Sequence, residues 1–185
     1  RMLAYSSVAQ AGFILIGVAA ASAAGIASTM FYLIAYGFTT IGAFAIITMV
    51  RNAGGEATIL ATWSGIGRKS PVVASAFAVF MLALAGIPLT SGFVGKFGVF
   101  AAAIEAGMVW LVIVGVVASL IAAFFYVRVI VVMFFAQPTD QTANVVVPSA
   151  FTTVALAAGA AVTVILGVVP QPVLDLVTNA DVFIR

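Results

Sequence analysis

The fold is decided by residues 71–106, which read PVVASAFAVFMLALAGIPLTSGFVGKFGVFAAAIEA. As one straight α-helix this apolar stretch would be about 54 Å long, whereas the hydrocarbon core of a bilayer is about 30 Å thick. Its centre, residues 86–92, contains Gly86, Gly92 and Pro88, and proline lacks a backbone N–H and clashes with the preceding turn of a helix. The stretch therefore predicts one membrane span made of two half-helices around a break.

The composition of the whole chain also indicates a membrane protein. Of the 185 residues 65% are hydrophobic, the mean hydropathy is +1.32, and only 7 residues are basic and 5 acidic. About a quarter of a soluble domain is charged, and a disordered chain combines low hydrophobicity with high net charge. The net charge of +2 comes without a clustered basic face, so we expect no nucleic-acid partner. The predicted fold class is an all-α polytopic transmembrane helix bundle embedded in the lipid bilayer.

Five spans divide the chain, which we interpret as a single membrane domain over residues 1–185. Each span has about the 20 apolar residues that a bilayer requires. A polar surface loop covers residues 51–70, a second polar loop lies at residues 137–144, and Pro170 and Pro172 end the last span. The predicted spans are at about residues 2–21, 26–50, 71–106 with its break at 86–92, 108–135 and 148–169.

Basic residues gather on one side of the predicted bundle. Cytoplasmic loops of membrane proteins carry an excess of Lys and Arg, so we predict that this side is cytoplasmic and that the C-terminus lies on the outer side. The opposite side has the acidic residues Asp175 and Asp181 and the basic residue Arg185. Because the chain opens in what reads as a helix already under way, we also expect it to be a fragment. The basic residues assigned to one side are Arg1, Arg51, Arg68 and Lys69.

Lys96 is the candidate catalytic residue, with proton transfer as its predicted role. Inserting a lysine at membrane depth costs about 2.5–3.5 kcal/mol, so its amine should face a polar interior or water rather than lipid. An amine can also carry a proton. The alternative is a structural lysine that snorkels to the interface or pairs with a carboxylate. Its position beside the break favours a functional role, because unwound backbone at membrane depth needs protein or water to satisfy it.

Other polar side chains inside the spans are candidates for lining a channel. Ser6 and Gln10 are four residues apart on one helical face, where they could hold a short water chain. Arg128 lies inside the end of its span, where snorkelling and a buried role fit equally well. For most of the polar side chains inside the spans, helix packing is the alternative role. The channel-lining candidates are Ser6, Gln10, Pro88, Thr90, Ser91, Tyr126 and Arg128.

The chain has no cysteine and no histidine. It therefore offers no thiolate or imidazole ligand for haem, iron–sulfur clusters or the usual zinc sites. We expect no cofactor and no metal in this chain, and any redox chemistry belongs elsewhere.

Two segments resemble a known family, namely residues 1–17, RMLAYSSVAQAGFILIG, and residues 85–100, AGIPLTSGFVGKFGVF. They are similar to the antiporter-like membrane subunits of proton-pumping NADH-quinone oxidoreductase, respiratory complex I. In that family, fourteen helices include two inverted five-helix repeats, each with a broken helix that bears a charged residue on a central hydrophilic axis. The resemblance implies that this chain holds the last five helices.

Within that family, Gly95-Lys96-Phe97 favours the N-type subunit, because the M type usually has glutamate in place of Lys96 and the L type usually reads Ser-Lys-Asp nearby. The resemblance implies that Lys96 is the proton-carrying lysine of the second broken helix, near the exit to the outer side. The family commonly has histidine where this chain has Gln10. A glutamine cannot take up and release protons near neutral pH, so a relay through that position must use water or hydrogen bonding.

The resemblance also implies the surroundings of the chain. These are a bacterial inner membrane, other membrane subunits of complex I as partners, and FMN, iron–sulfur clusters and quinone in other subunits. The chain itself would be a non-redox subunit of the enzyme, without a catalytic redox site.

Three functional hypotheses remain open on the sequence. The first is a proton-translocating subunit of complex I, in which quinone reduction elsewhere drives proton transfer through Lys96. The alternative is a large subunit of a multisubunit monovalent cation/proton antiporter, which a sodium requirement would reveal. The third is a structural membrane module in which Lys96 is a fixed member of an ion pair.

Overall fold

A computed structural model describes residues 2–179 of the chain. Arg1, Asp181 and Arg185, for which the sequence predicts a side of the membrane, lie outside the described residues. Three short strands and a 3-10 helix at Leu60–Trp63 accompany the α-helices; the strands are β1 Val50–Asn52, β2 Gly55–Glu56 and β3 Asn144–Val145. The α-helices of the described range are α1 Met2–Ala19, α2 Ala23–Met49, α3 Ile66–Lys69, α4 Pro71–Ala85, α5 Ser91–Glu105, α6 Val109–Phe135, α7 Ala150–Val168 and α8 Gln171–Asn179.

The helices α1, α2, α6 and α7 are long and apolar enough to cross a membrane, with 18, 27, 27 and 19 residues. They correspond to the first, second, fourth and fifth predicted spans. The predicted class, an all-α polytopic transmembrane bundle, is confirmed. That α4 and α5 together make a further crossing, for a total of five, stays a prediction.

The apolar stretch over residues 71–106 is interrupted in its middle. Helix α4 ends at Ala85 and α5 begins at Ser91, so residues 86–90 are not helical. This interruption lies inside the range in which the sequence predicts a break.

Gly86 ends α4 because it takes the left-handed conformation, with φ 81°, which glycine adopts without steric cost. The N–H groups of Gly86 and Ile87 donate to the carbonyls of Leu82 and Ala83 at distances of 3.0 to 3.1 Å. These are the hydrogen bonds of the Schellman motif that closes many helices. The motif leaves the last two carbonyls of α4 available to other donors.

Helices α4 and α5 lie one after the other along α2. The ring of Phe80 in α4 occupies the space beside Gly42, and Gly95 of α5 lies against the ring of Tyr32. The contact on α2 thus moves from Gly42 back to Tyr32 as the chain proceeds from Phe80 to Gly95. Both helices therefore run antiparallel to α2, and α5 lies beyond α4 along its axis. This order supports α4 and α5 as two halves of one crossing.

The polar loop at residues 51–70 contains more regular structure than the sequence indicates. Strand β1 pairs antiparallel with both β2 and β3, and β3 follows the second polar loop. The Trp63 ring stacks on Phe77 of α4 with centroids 5.0 Å apart, and its indole N–H donates to the Ala57 carbonyl. The strands escaped prediction because they are too short to show an alternating pattern. The two loops are therefore joined at one end of the bundle.

Helix α8 was not predicted. We expected Pro170 and Pro172 only to end the last span, whereas Gln171–Asn179 is helical. Proline fits the first turn of a helix because its missing N–H would have no partner there. Val177 of α8 packs in a buried cluster with Phe31 of α2. The same prolines therefore separate α7 from a second helix that returns to the bundle.

Candidate functional site

Lys96 is buried near the start of α5, with 5% of its surface exposed. Its Nζ donates to the carbonyl oxygens of Leu84 and Ala85, at 3.0 and 3.1 Å, and to Oγ of Ser119 at 2.9 Å. An ammonium group has three N–H donors, and each has an acceptor here. All three acceptors are uncharged oxygens, so the contacts differ from the ion pair of the structural hypothesis.

The two carbonyls that bind Lys96 are the last of α4. The final carbonyls of a helix lack intrahelical donors and carry the negative end of the helix dipole. Because α5 begins shortly after α4 ends, the Lys96 side chain reaches back to them. A Cβ at Gly86 would lie only 2.9 Å from the Lys96 Cδ, so glycine leaves room for that path. The position of the Lys96 side chain thus depends on the break.

A second group of polar side chains is connected to the Lys96 amine through the Leu84 carbonyl, which both bind. Gln10 Nε2 donates to this carbonyl at 2.9 Å and to the Tyr126 hydroxyl at 3.4 Å, and Gln10 Oε1 accepts from the Tyr32 hydroxyl at 2.5 Å. Ser6 Oγ is hydrogen-bonded to the same Tyr126 hydroxyl. The resulting polar cluster consists of Ser6, Gln10, Tyr32, Lys96, Ser119 and Tyr126.

Apolar groups enclose the amine. Its Nζ lies 4.8 Å from the centroid of the Phe13 ring, within the range of a cation–π contact. Phe13 belongs to a buried cluster that also contains Tyr32 and Val99. A proton that reaches or leaves the amine must therefore pass along hydrogen-bonded groups.

The polar cluster has a direction along the bundle. Ser6 lies near the start of α1 and Tyr126 in the second half of α6, which is the end of the bundle that carries the 51–70 loop. Ser119 lies earlier in α6, toward the opposite end. Ser119 and Tyr126 therefore lie on either side of the midpoint of α6, with Tyr126 nearer the end that carries the 51–70 loop.

The structure brings Ser6, Gln10 and Tyr126 together with Lys96, as the sequence analysis proposed for channel-lining residues. Their residue numbers are far apart, yet α1, α5 and α6 meet around the end of α4. Their role in proton transfer stays a prediction.

Other candidates do not join the polar cluster. Pro88 is exposed at the break, and the Thr90 hydroxyl donates locally to the Ile87 carbonyl at 2.7 Å. Ser91 is fully buried, and its Oγ has no hydrogen-bond partner among the residues that the structure describes. Pro88, Thr90 and Ser91 thus lie outside this cluster, and their channel-lining role stays a prediction.

Arg128 also lies outside the polar cluster. It is two residues from Tyr126, which places the two side chains about 200° apart around the axis of α6. Tyr126 is buried and Arg128 is exposed on the far face of the helix. The α6 face that turns toward the cluster is the one that carries Tyr126, and a channel-lining role of Arg128 stays a prediction.

Tyr32 and Ser119 are not among the site residues predicted from the sequence. A signal for Tyr32 existed, since a tyrosine inside an apolar helix usually finds a partner for its hydroxyl when it is buried. No local pattern identifies that partner, because Tyr32 bonds to α1 and Ser119 to α5.

The chain belongs to the family of NADH:quinone oxidoreductase/Mrp antiporter transmembrane proteins, whose family model matches residues 1–122. Among individual proteins it is similar to NADH-quinone oxidoreductase subunit N of Rhodococcus opacus, with 64% identity over the whole chain and 34% of that protein. Subunit N 3 of Streptomyces griseus is 61% identical over the whole chain and 33% of its own length. The chain thus spans about a third of the length of these relatives.

Two solved structures show the same fold. Respiratory complex I from Thermus thermophilus with bound aureothin contains a chain with 30% identity and a TM-score of 0.80, covering 94% of this chain and 38% of that one. The Mrp complex from Dietzia sp. DQ12-45-1b matches with 27% identity and a TM-score of 0.82, covering 96% and 41%. The fold is therefore common to both kinds of complex, and the higher sequence identities are with complex I subunits.

Proposed function

We propose that the chain is part of a proton-translocating membrane subunit of NADH-quinone oxidoreductase and that Lys96 carries the proton. The observation that carries this proposal is the buried Lys96 amine, held by two carbonyls at a helix break and by the Ser119 hydroxyl. The relatives named as subunit N support the assignment to complex I rather than to another carrier. Quinone reduction elsewhere in the complex supplies the driving force.

The groups around Lys96 define a possible transfer. The amine gives a proton to Ser119 Oγ while that half-buried hydroxyl passes its own proton to a water molecule toward the opposite end of the bundle. After this step the neutral amine keeps two N–H groups for the Leu84 and Ala85 carbonyls, and Gln10 Nε2 still donates to the Leu84 carbonyl. Gln10 itself orients the hydrogen bonds without changing its protonation. The helix end is thus stabilised in both states of the lysine.

We place the chain in the bacterial plasma membrane with the 51–70 loop in the cytoplasm. The excess of basic residues in that loop, among them Arg51, Arg68 and Lys69, supports this orientation. Other membrane subunits of complex I are the proposed partners. FMN, iron–sulfur clusters and quinone belong to other subunits, and we assign no cofactor to this chain.

The test is NADH-driven proton uptake by inverted membrane vesicles that carry Lys96→Met in the full-length protein. Lys69→Met is the matched control, because Lys69 is exposed in the loop and donates to the Thr142 carbonyl at 3.2 Å. Complex assembly and NADH oxidation are measured in parallel. We expect Lys96→Met to assemble and to lose proton uptake, with Lys69→Met close to wild type. Wild-type uptake by Lys96→Met would make the lysine structural.

The match to the Mrp complex favours a second candidate, a large subunit of a monovalent cation/proton antiporter. Sodium dependence separates the two. An antiporter subunit requires sodium for proton movement in the absence of NADH, whereas a complex I subunit requires NADH and quinone and works without added sodium.

A further inference from the structure

We propose that helix α7 positions Lys96, with Gly167 as the positioning residue. Gly167 holds the backbone turn at the helix break, and this turn determines where α5 begins and where its lysine lies. The inference rests on the proposed function, because its consequence is the placement of the amine that carries the proton. It gives a role to Gly167 and Leu89, which have none in the proposed function.

The turn at the break contains a leucine in a conformation that residues with a side chain rarely adopt. The Thr90 N–H donates to the Ile87 carbonyl at 3.3 Å, so Pro88 and Leu89 are the central residues of a four-residue turn. Leu89 has a φ of 70°, in the left-handed region. A proline followed by a positive φ is the pattern of a type II turn, in which glycine or asparagine usually follows the proline. The surrounding structure therefore has to hold Leu89 in this conformation.

Backbone contacts hold the turn, because the Leu89 side chain is too exposed to do so. Leu89 is 74% exposed. Within the turn, the Thr90 hydroxyl donates to the Ile87 carbonyl at 2.7 Å. From outside, Gly167 near the end of α7 lies directly against the turn. A Cβ at Gly167 would contact the Leu89 carbonyl oxygen and lie 2.5 Å from the Thr90 Cα. A residue larger than glycine would therefore push the turn away from α7.

Helix α7 is itself fixed on α2 by a buried hydrogen bond. Thr163 of α7 is fully buried, and its Oγ1 is hydrogen-bonded to Oγ1 of Thr39 at 3.0 Å. Thr163 and Gly167 are four residues apart, so they lie on the same face of α7. The hydrogen bond between the two threonines thus sets the height and the rotation at which Gly167 meets the turn.

The first turn of α5 connects the turn at the break to Lys96. The Thr90 carbonyl accepts from the N–H of Phe93 at 3.1 Å, which joins Thr90 to the start of α5. Gly92 in the same part of α5 packs directly on the Ala83 carbonyl of α4. Lys96 follows one helical turn later, and its amine binds the last two carbonyls of α4. A displacement of the turn therefore moves the amine relative to these carbonyls.

The functional test compares Gly167→Ala with Gly159→Ala in the full-length protein within the assembled complex. Both changes add one methyl group to α7 against backbone atoms. A Cβ at Gly159 would lie 2.8 Å from the Phe38 carbonyl oxygen and 2.9 Å from the Gly42 Cα, both in α2 rather than at the break. We expect both variants to lower the thermal stability of the complex, because both overpack α7. Gly167→Ala should also lower NADH-driven proton uptake about 10²-fold, the cost of a misplacement of about 1 Å, whereas Gly159→Ala should keep it. Equal uptake by the two variants would overturn the proposal.

A second change, at the turn itself, separates positioning of the lysine from general loosening of α7. In the double variant Gly167→Ala/Leu89→Gly, the glycine lets the turn change its dihedral angles without steric cost and make room for the added methyl group. We expect the double variant to assemble and to regain most of the lost proton uptake, even if Gly167→Ala alone fails to assemble. A double variant as defective as the single one would place the damage elsewhere than at the turn and overturn the proposal.

A cryo-EM map of the Gly167→Ala complex tests the placement of the lysine independently of proton movement. We expect Lys96 Nζ to lie beyond hydrogen-bond distance of the Leu84 and Ala85 carbonyl oxygens, and unchanged distances would overturn the proposal. If Lys96→Met loses uptake while Gly167→Ala keeps it, the positioning role is wrong and the proposed function stands. Wild-type uptake by Lys96→Met would instead overturn the proposed function, and the map would still decide whether Gly167 places the amine.

Discussion

Lys96 and Gln10 donate to one and the same oxygen, the carbonyl of Leu84, at 3.0 and 2.9 Å. The two residues come from different helices, α5 and α1, and the carbonyl belongs to the end of a third. A carbonyl oxygen has two lone pairs, so it accepts both bonds without competition. The end of α4 therefore joins the lysine to the hydroxyl groups of Tyr32 and Tyr126 through Gln10.

Lys96→Arg separates positive charge from proton exchange. Arginine stays protonated under all conditions in proteins and can still donate to the carbonyls at the end of α4. We expect the complex to assemble and NADH-driven proton uptake to be lost as completely as in Lys96→Met. Proton uptake and assembly are measured together. Retention of wild-type uptake by the arginine variant would show that a fixed positive charge is sufficient.

Gly86→Ala tests the dependence of the lysine on the break. The residue has a left-handed φ of 81°, and a Cβ there would lie 2.9 Å from the Lys96 Cδ. We expect a loss of at least about 1–2 kcal/mol in stability, with displacement of the lysine. The measurement is the thermal stability of the purified complex together with proton uptake. Gly37→Ala is the control, because a Cβ at Gly37 meets nothing within 4 Å, and it should leave both readings unchanged.

We expect Gln10→Leu to destabilise the polar cluster without abolishing proton transfer. The change leaves the buried Tyr32 hydroxyl without its acceptor, at a cost of about 1–3 kcal/mol for a group left unpaired. Because Gln10 does not carry the proton, uptake should fall without disappearing. Thr48→Val serves as control, since its hydroxyl donates to the nearby Ala45 carbonyl in an exposed part of α2. Complete loss of uptake in an assembled Gln10→Leu complex would contradict this distinction.

Ser119→Ala removes the hydroxyl that, within residues 2–179, accepts directly from the Lys96 amine. We expect NADH-driven proton uptake to fall about 10²-fold, the low end for loss of a positioned proton-transfer group. Ser119→Thr keeps a hydroxyl and should retain most of the uptake. Ser75→Ala, at an exposed position of α4, controls for loss of a serine as such. Equal uptake in Ser119→Ala and Ser75→Ala would exclude Ser119 from the path.

Most of the helical architecture was predictable from the sequence. The lengths of the apolar stretches follow from the thickness of the bilayer, and the position of the interruption follows from Gly86 and Pro88. Lys96 stood out because a charge in an apolar stretch is costly without a role. These features depend on local composition and spacing, which the chain itself determines.

Tertiary structure decided which polar groups Lys96 meets. Tyr32, Ser119 and the Leu84 carbonyl come together through contacts between helices, and no local pattern encodes them. The rotation of α6, which turns Tyr126 inward and Arg128 outward, was not decided by the sequence. Ser119 and Tyr126 are seven residues apart on one face of α6, but Arg128 lies on another face and is the more polar residue. In a membrane helix of this kind, hydrophobicity determines that the helix crosses, and contacts with its neighbours determine which side chains face the interior.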